Sequence, residues 1–188
     1  PGVSLTFRRW DDLLLPRKGH SLLIDVHGAW DDLLSSTSFV QAQIDGSWIH
    51  PVSSRSRLIV RGRAAANWLK EFDALPASQR FFAGGDNSIR GYDYRQVAPR
   101  DSNGDVVGGK YLQTLSVEVD RIIWRNYGLA LFHDVGGASN NWLSNIVSAT
   151  GLGLRWATPI GMVRADFAVP HDDPNTNFQV HIGIGGEL

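Results

Sequence analysis

The sequence predicts an all-β chain built as a transmembrane antiparallel β-barrel, or part of one, and three observations carry that prediction. Apolar and polar residues alternate with a period of two in about nine segments, the mark of strands whose two faces meet different solvents. The connections between these segments alternate between short turns and long polar loops, as in barrels that cross a membrane. Large aromatic residues gather near the segment ends, where amphipathic rings favour a membrane–water interface.

The first segment sets Val3, Leu5 and Phe7 against Ser4, Thr6 and Arg8. In the second, running from His20 to Trp30, Leu22, Ile24 and Val26 alternate with Leu23, Asp25 and His27. Val40, Ala42, Ile44, Gly46 and Trp48 then face away from Gln41, Gln43, Asp45 and Ser47, and Leu58 to Trp68 repeats the pattern against Ile59, Arg61 and Arg63. After a long interruption come Leu115, Val117 and Val119 against Thr114, Ser116, Glu118 and Asp120. Leu129, Leu131, His133 and Val135 follow, against Ala130, Phe132, Asp134 and Gly136. The last three segments centre on Leu152 to Trp156, Val163 to Val169 and Phe178 to Ile184. Turns at Asp11 to Gly19, His50 to Arg55, Trp124 to Asn126 and Thr158 to Gly161 are compact. The loops at Asp31 to Thr37, Leu69 to Gly109, Gly137 to Asn145 and His171 to Asn177 are longer and polar. Trp10, Trp30, Trp48, Trp68, Trp124 and Trp156 mark the segment ends.

Composition narrows the function classes. The chain has 188 residues and a formal net charge of -1, which argues against nucleic-acid binding through bulk positive charge. It has no cysteine, so disulfides, thiolate metal sites and cysteine nucleophiles are excluded. No apolar run approaches the roughly 20 residues of a spanning helix. The chain begins at Pro1 without an initiator methionine or signal peptide, and reads as a fragment or a processed product. An odd number of strands points the same way, because single-chain bacterial barrels have even counts and an open edge in lipid leaves backbone groups unpaired. The chain is therefore expected to be the C-terminal part of a larger barrel, residues 1–188, with further strands upstream.

The interruption at about 69–109 is far longer than an ordinary loop, which points to a role of its own. It contains Ile89-Arg90-Gly91-Tyr92. Downstream, a hairpin centred near the Trp124 to Asn126 turn sets residues whose numbers sum to about 252 opposite each other, which puts Glu118 across from Asp134. Like charges in that position repel and call for a cation, and an arginine's planar fork can serve two carboxylates at once.

With these residues in place, the chain resembles the outer-membrane assembly and translocation superfamily that includes BamA, TamA and two-partner secretion transporters. The hydrophobic-Arg-Gly-aromatic tetrad is similar to that family's lumen loop motif, and Phe132-His133-Asp134-Val135-Gly136 fits its Phe-x-Asp-x-Gly strand motif. The run Leu75-Pro76-Ala77-Ser78-Gln79-Arg80-Phe81-Phe82-Ala83-Gly84-Gly85, with Gly91-Tyr92-Asp93-Tyr94, is most similar to the TamA-type autotransporter assembly factors. So are the endings Asp166-Phe167-Ala168-Val169-Pro170 and Gly185-Gly186-Glu187-Leu188. The resemblance implies about nine strands of a barrel of about 16, with periplasmic domains upstream, in the outer membrane of a Gram-negative bacterium. It implies that the arginine at Arg90 inserts between acidic residues at Glu118 and Asp134. It also implies a cofactor-free assembly factor that helps insert and translocate autotransporter-type β-barrel clients through a lateral seam. Its partners would be outer-membrane lipid, those clients and a TamB-like periplasm-spanning protein, with no nucleic acid. Gly183, Gly185 and Gly186 in the last strand fit a weak seam, since glycine loosens strands; their alternative use is to let lumen groups pack closely.

Other readings compete. Carboxylates lining a lumen are ordinarily solvated, and nothing supplies Glu118 and Asp134 with the cleft and split pKa values of a general acid and base, so no enzyme and no catalytic residue is expected. Arg155, Arg164 and Asp166 share the inner face as lining charges. The six histidines are dispersed without metal-site spacing and suit the lumen or an interfacial ring. Gly104-x-x-x-x-Gly109-Lys110 lacks the Ser or Thr and the helix of a phosphate loop, and Gly151-Leu152-Gly153 precedes no helix. The rival functions are a two-partner-type secretion channel, which shares the arginine loop, and a soluble β-rich binding protein, in which the apolar faces would pack between two sheets.

Overall fold

A computed structural model describes residues 1–30, 38–159, 161–173 and 177–185. Period-two patterning becomes nine strands: β1 (Gly2–Trp10), β2 (Gly19–Ala29), β3 (Phe39–Pro51), β4 (Ser56–Leu69), β5 (Tyr111–Trp124), β6 (Tyr127–Ser139), β7 (Val147–Thr158), β8 (Gly161–Pro170) and β9 (Gln179–Gly185). They form one antiparallel sheet in chain order, each strand hydrogen-bonded to the next. The expected loop from 31 to 37, residue 160 of one turn, residues 174–176 of the last loop, and Gly186, Glu187 and Leu188 lie outside the described residues.

The apolar set faces outward. Leu115, Val117, Leu131, Phe167, Val180 and Ile182 are all exposed, Ile182 at 70%, while Val163 is half-buried. Among the described residues no second sheet covers this face, which removes the soluble two-sheet arrangement. At the short-turn end Trp124, Tyr127 and Trp156 stack side by side at 6.0 Å between neighbouring ring centres, and Trp48 stacks on His50 at 5.2 Å. Trp30 and Trp68 are exposed near the other end, as interfacial aromatics are in membrane barrels. Trp10 differs: it is half-buried and shares the strand face of Thr6 and Arg8.

The hydrophobic core lies between the long loop and the inner wall. Phe81, Ala83, Ile89, Tyr92 and Val97 of the loop pack on Ala65, Leu112, Ala138 and Ala149 of the strands. Two single-turn 3-10 helices, Phe72–Ala74 and Ala77–Gln79, start the loop, and isolated bridges Phe81 to Gly109 and Ala83 to Val97 narrow it. The compact turn between β1 and β2 is held by its own acids: Asp11 accepts from the Arg17 and Lys18 amides, and Asp12 from those of Leu14 and Leu15. These amide bonds hold the Asp12 carboxyl below its ordinary pKa.

If the outward band meets lipid, Leu152→Arg, at a position 64% exposed between Leu131 and Phe167, should cost about 2–4 kcal/mol of bilayer-folded stability. Asn103→Arg in the polar loop should cost almost nothing. Urea unfolding in lipid vesicles measures both, and equal effects would contradict the assignment of faces.

Candidate functional site: a buried guanidinium in the inner wall

Strand alternation sends Ser116 and Glu118 of β5, Phe132 and Asp134 of β6, Arg155 of β7 and Asp166 of β8 to the inner face. The expected direct opposition of Glu118 and Asp134 is corrected by the register. Glu118 pairs with Phe132, and Asp134 with Ser116, so the two acids are diagonal neighbours. The turn centres between Arg125 and Asn126, which lowers the numbering sum by one, and a register irregularity between Ile122 and Trp124 lowers it by one more. The carboxylates still lie on one face and reach one point.

Arg90, 2% exposed, occupies that point. Its Nε and Nη2 donate to the two oxygens of Asp134 at 2.8 and 2.9 Å, a bidentate fork. Nη1 donates to Glu118 at 2.7 Å and to Asp166 at 3.0 Å, and Nη2 also reaches the Ser116 hydroxyl at 3.3 Å. All five guanidinium hydrogens thus have acceptors. The backbone amide of Arg90 donates to Asp134 as well, at 3.0 Å. Below the guanidinium plane lies the Phe132 ring, 3.4 Å from the guanidinium carbon to the ring centre. Burial alone would lower the arginine's pKa; the hydrogen bonds and charges of Asp134, Glu118 and Asp166 outweigh it and raise it instead. The group is cationic at any pH the protein meets.

Around this centre the inner wall is charge-matched. Arg155 donates to Glu118 at 2.6 Å and pairs with Asp166, and Arg61 reaches Glu118 at 3.1 Å. Further along, Arg57 pairs with Asp120 at 2.7 Å and donates to the Pro16 carbonyl of the β1–β2 turn. The three carboxylates at the centre are buried and accept from guanidiniums, so what the arrangement does chemically is bind a loop to a wall.

The rest of the tetrad presses the loop onto β7 and β8. Ile89 is fully buried, and Tyr92 hydrogen-bonds the Ser148 carbonyl and receives the Asp172 amide, both at 3.2 Å. Burial pushes the Tyr92 hydroxyl pKa up. Gly91 adopts φ +96°, and a Cβ there would come 3.0 Å from that of Ala149 and 3.3 Å from the Pro170 nitrogen. Only glycine lets the backbone lie this close to the wall. Gly151 makes room for the Phe132 ring, which a Cβ at that position would strike, and Gly136 passes against the Gln113 carbonyl. Gly183 and Gly185 sit on the inner face of β9, with Gly183 under the Arg164 side chain.

Several contacts had no signal in the sequence. Asp166 is a third acceptor for Arg90, drawn from 76 residues away. His181 of β9 meets the Gly91 amide at 3.0 Å and pairs with Asp86. At the start of the loop, Gln41 and Asn67, both buried, each donate at 2.9 Å to the Gln79 carbonyl.

Removing one partner of a buried charge pair costs roughly 3–5 kcal/mol. Arg90→Ala should therefore expose the loop to protease and destabilise the full protein by about that much, with Arg90→Lys restoring little because an ammonium cannot fork. Asp134→Asn should also be harmful, yet combined with Arg90→Ala should cost less than the sum of the two; additive losses in the unfolding cycle would contradict the pairing. Separately, Gly151→Ala should cost about 1–3 kcal/mol by displacing Phe132, readable as a lowered unfolding midpoint with unchanged slope.

Comparison with known proteins places this geometry. The chain is 31% identical over 143 residues to the outer membrane protein assembly factor BamA of Nitratidesulfovibrio vulgaris, covering 72% of this chain and 18% of that protein. It is 26% identical over 188 residues to a SAM50-like protein of Schizosaccharomyces pombe, covering 89% of this chain and 40% of the relative. The chain thus spans well under half the length of these curated relatives. The crystal structure of BamA from Haemophilus ducreyi lacking POTRA domains 1–3 shares its fold, with a TM-score of 0.80 at 20% identity over 98% of this chain and 42% of that one. The Omp85 superfamily domain model matches residues 2–187, and the chain belongs to that superfamily.

Proposed function

We propose that this chain is the C-terminal part of the barrel of an outer-membrane protein assembly factor, one that works without cofactor or catalytic residue. Similarity to BamA and to a SAM50-like protein supports assembly as the activity. The likeness of Leu75 to Gly85 and of the chain's last residues to TamA-type factors supports clients of the autotransporter type and a TamB-like periplasmic partner. In this reading strands upstream of β1 complete the barrel, the long loop fills its lumen, and the Arg90 tetrad with Glu118, Asp134 and the Phe132-Asp134-Gly136 motif holds the loop there.

The observation that carries the seam is β9. Beyond His181, Gly183 and Gly185 give its inner face no side chain with which to hold the wall. A last strand loosened by glycine can part from its neighbour and template an incoming strand through backbone hydrogen bonds. Gly186, the third glycine of this reading, lies beyond the described residues.

The chain's lack of cysteine makes the test direct. A disulfide between a cysteine at Ile182 and one in the first strand of the complete barrel should abolish autotransporter assembly, and reductant should restore it. Undiminished assembly by a fully crosslinked protein would sink the seam, and equal loss of all barrel clients would sink the autotransporter preference.

A further inference from the structure

Beyond its role in holding the loop, the wall beside Arg90 has, among the described residues, a cation left over. The charges around Arg90 balance: Arg90, Arg155 and Arg61 answer Glu118, Asp134 and Asp166, while Arg57 answers Asp120. Arg164 of β8 belongs to the same inner face, yet among the described residues no carboxylate lies within 4 Å of it and its guanidinium donates no hydrogen bond. Its charge is repelled by Arg61 and Arg155 while Glu118 and Asp166 attract it from further off. A half-buried guanidinium that faces other guanidiniums is stabilised when an anion joins it.

The space for that anion is present. Arg164 and Arg61 open onto a cavity of about 530 Å³ between the loop tip and the wall, which Arg8 and Arg63 also line. Two aspartates line it too, Asp45 and Asp86, and both are engaged, with Arg63 and His181 respectively. Of the four lining arginines, Arg61 is paired with Glu118 and Arg63 with Asp45, which leaves Arg164 and Arg8 without a carboxylate within 4 Å among the described residues. Ser47 and Thr114 place hydroxyl donors on the same lining.

We propose that this lumen cavity binds a phosphate group, held chiefly by Arg164 and Arg61. The two unpaired guanidiniums, Arg164 and Arg8, match a phosphate carrying close to two negative charges at neutral pH, and guanidinium forks with nearby hydroxyls suit its tetrahedral oxygens. The same chemistry is offered by free phosphate and by a phospholipid headgroup.

The test uses the full protein in zwitterionic detergent at fixed ionic strength. Inorganic phosphate replacing chloride should raise the unfolding temperature saturably in the wild type. Arg164→Gln should weaken the apparent affinity at least about tenfold, and it should be no less stable than wild type without phosphate, since it removes a repelled charge. General salting effects act on both proteins alike, so an equal response in the two would overturn the proposal. If the variant does not fold, 31P line broadening of phosphate by the wild type alone decides: broadening reversed by excess pyrophosphate supports the site, and its absence refutes it. Stabilisation by phosphatidylglycerol doped into the micelles but not by inorganic phosphate would assign the headgroup as the source. A response to tetraglutamate peptide with none to either phosphate source would overturn the assignment.

Discussion

Glu118, Asp134 and Asp166 come from three different strands and converge on one dry spot of the inner wall, an arrangement carboxylates tolerate only when cations meet them there. Arg90 supplies the charge, and its position in the chain matters as much as its sign. It arrives on a loop of some forty residues, and ordering so long a segment costs conformational entropy that solvent-exposed ion pairs, at about 0–1 kcal/mol each, could not offset. Desolvation changes the balance, because carboxylates buried without their cation are far more costly than the pair. The apolar contacts of Ile89, Phe81 and Val97 add to that hold on the loop.

Membership of the Omp85 superfamily puts the chain in the bacterial outer membrane, and the distribution of side chains follows from that solvent. Lipid takes the apolar face, so the sheet cannot use it to pack against anything of its own. The core has to form on the other side, where water and charge would otherwise dominate, and the loop is what makes it possible. That division explains why the polar groups around Arg90 are so fully paired: they share a small enclosed space with Phe81, Ile89 and Tyr92.

Strand number and facing were legible in the sequence because period two is a local property, visible within six or seven residues. Register was not. Glu118 and Asp134 were displaced by two positions, one because the turn centres just before Asn126 and one because an irregularity beside Trp124 is announced by no single residue. The partners Asp166, His181, Gln41 and Asn67 escaped for a related reason: each is an ordinary inner-face polar residue on its own strand, and its role exists only after distant strands are aligned. Arg90 itself was legible through resemblance, because Ile89-Arg90-Gly91-Tyr92 is similar to a loop motif of the superfamily.

A sheet of alternating strands has a weakness in quality control. A slip of one residue turns every side chain to the wrong solvent and is punished at once. A slip of two residues is nearly silent, since each apolar group still faces lipid and each polar group still faces inward. The acceptors around Arg90 are drawn from β5, β6 and β8, with Arg155 of β7 bridging two of them. They converge only when all four strands stand in one relative alignment. A guanidinium that must satisfy three carboxylates at once therefore measures the alignment of the whole wall, and a misaligned hairpin leaves the loop undocked where a cellular protease can find it.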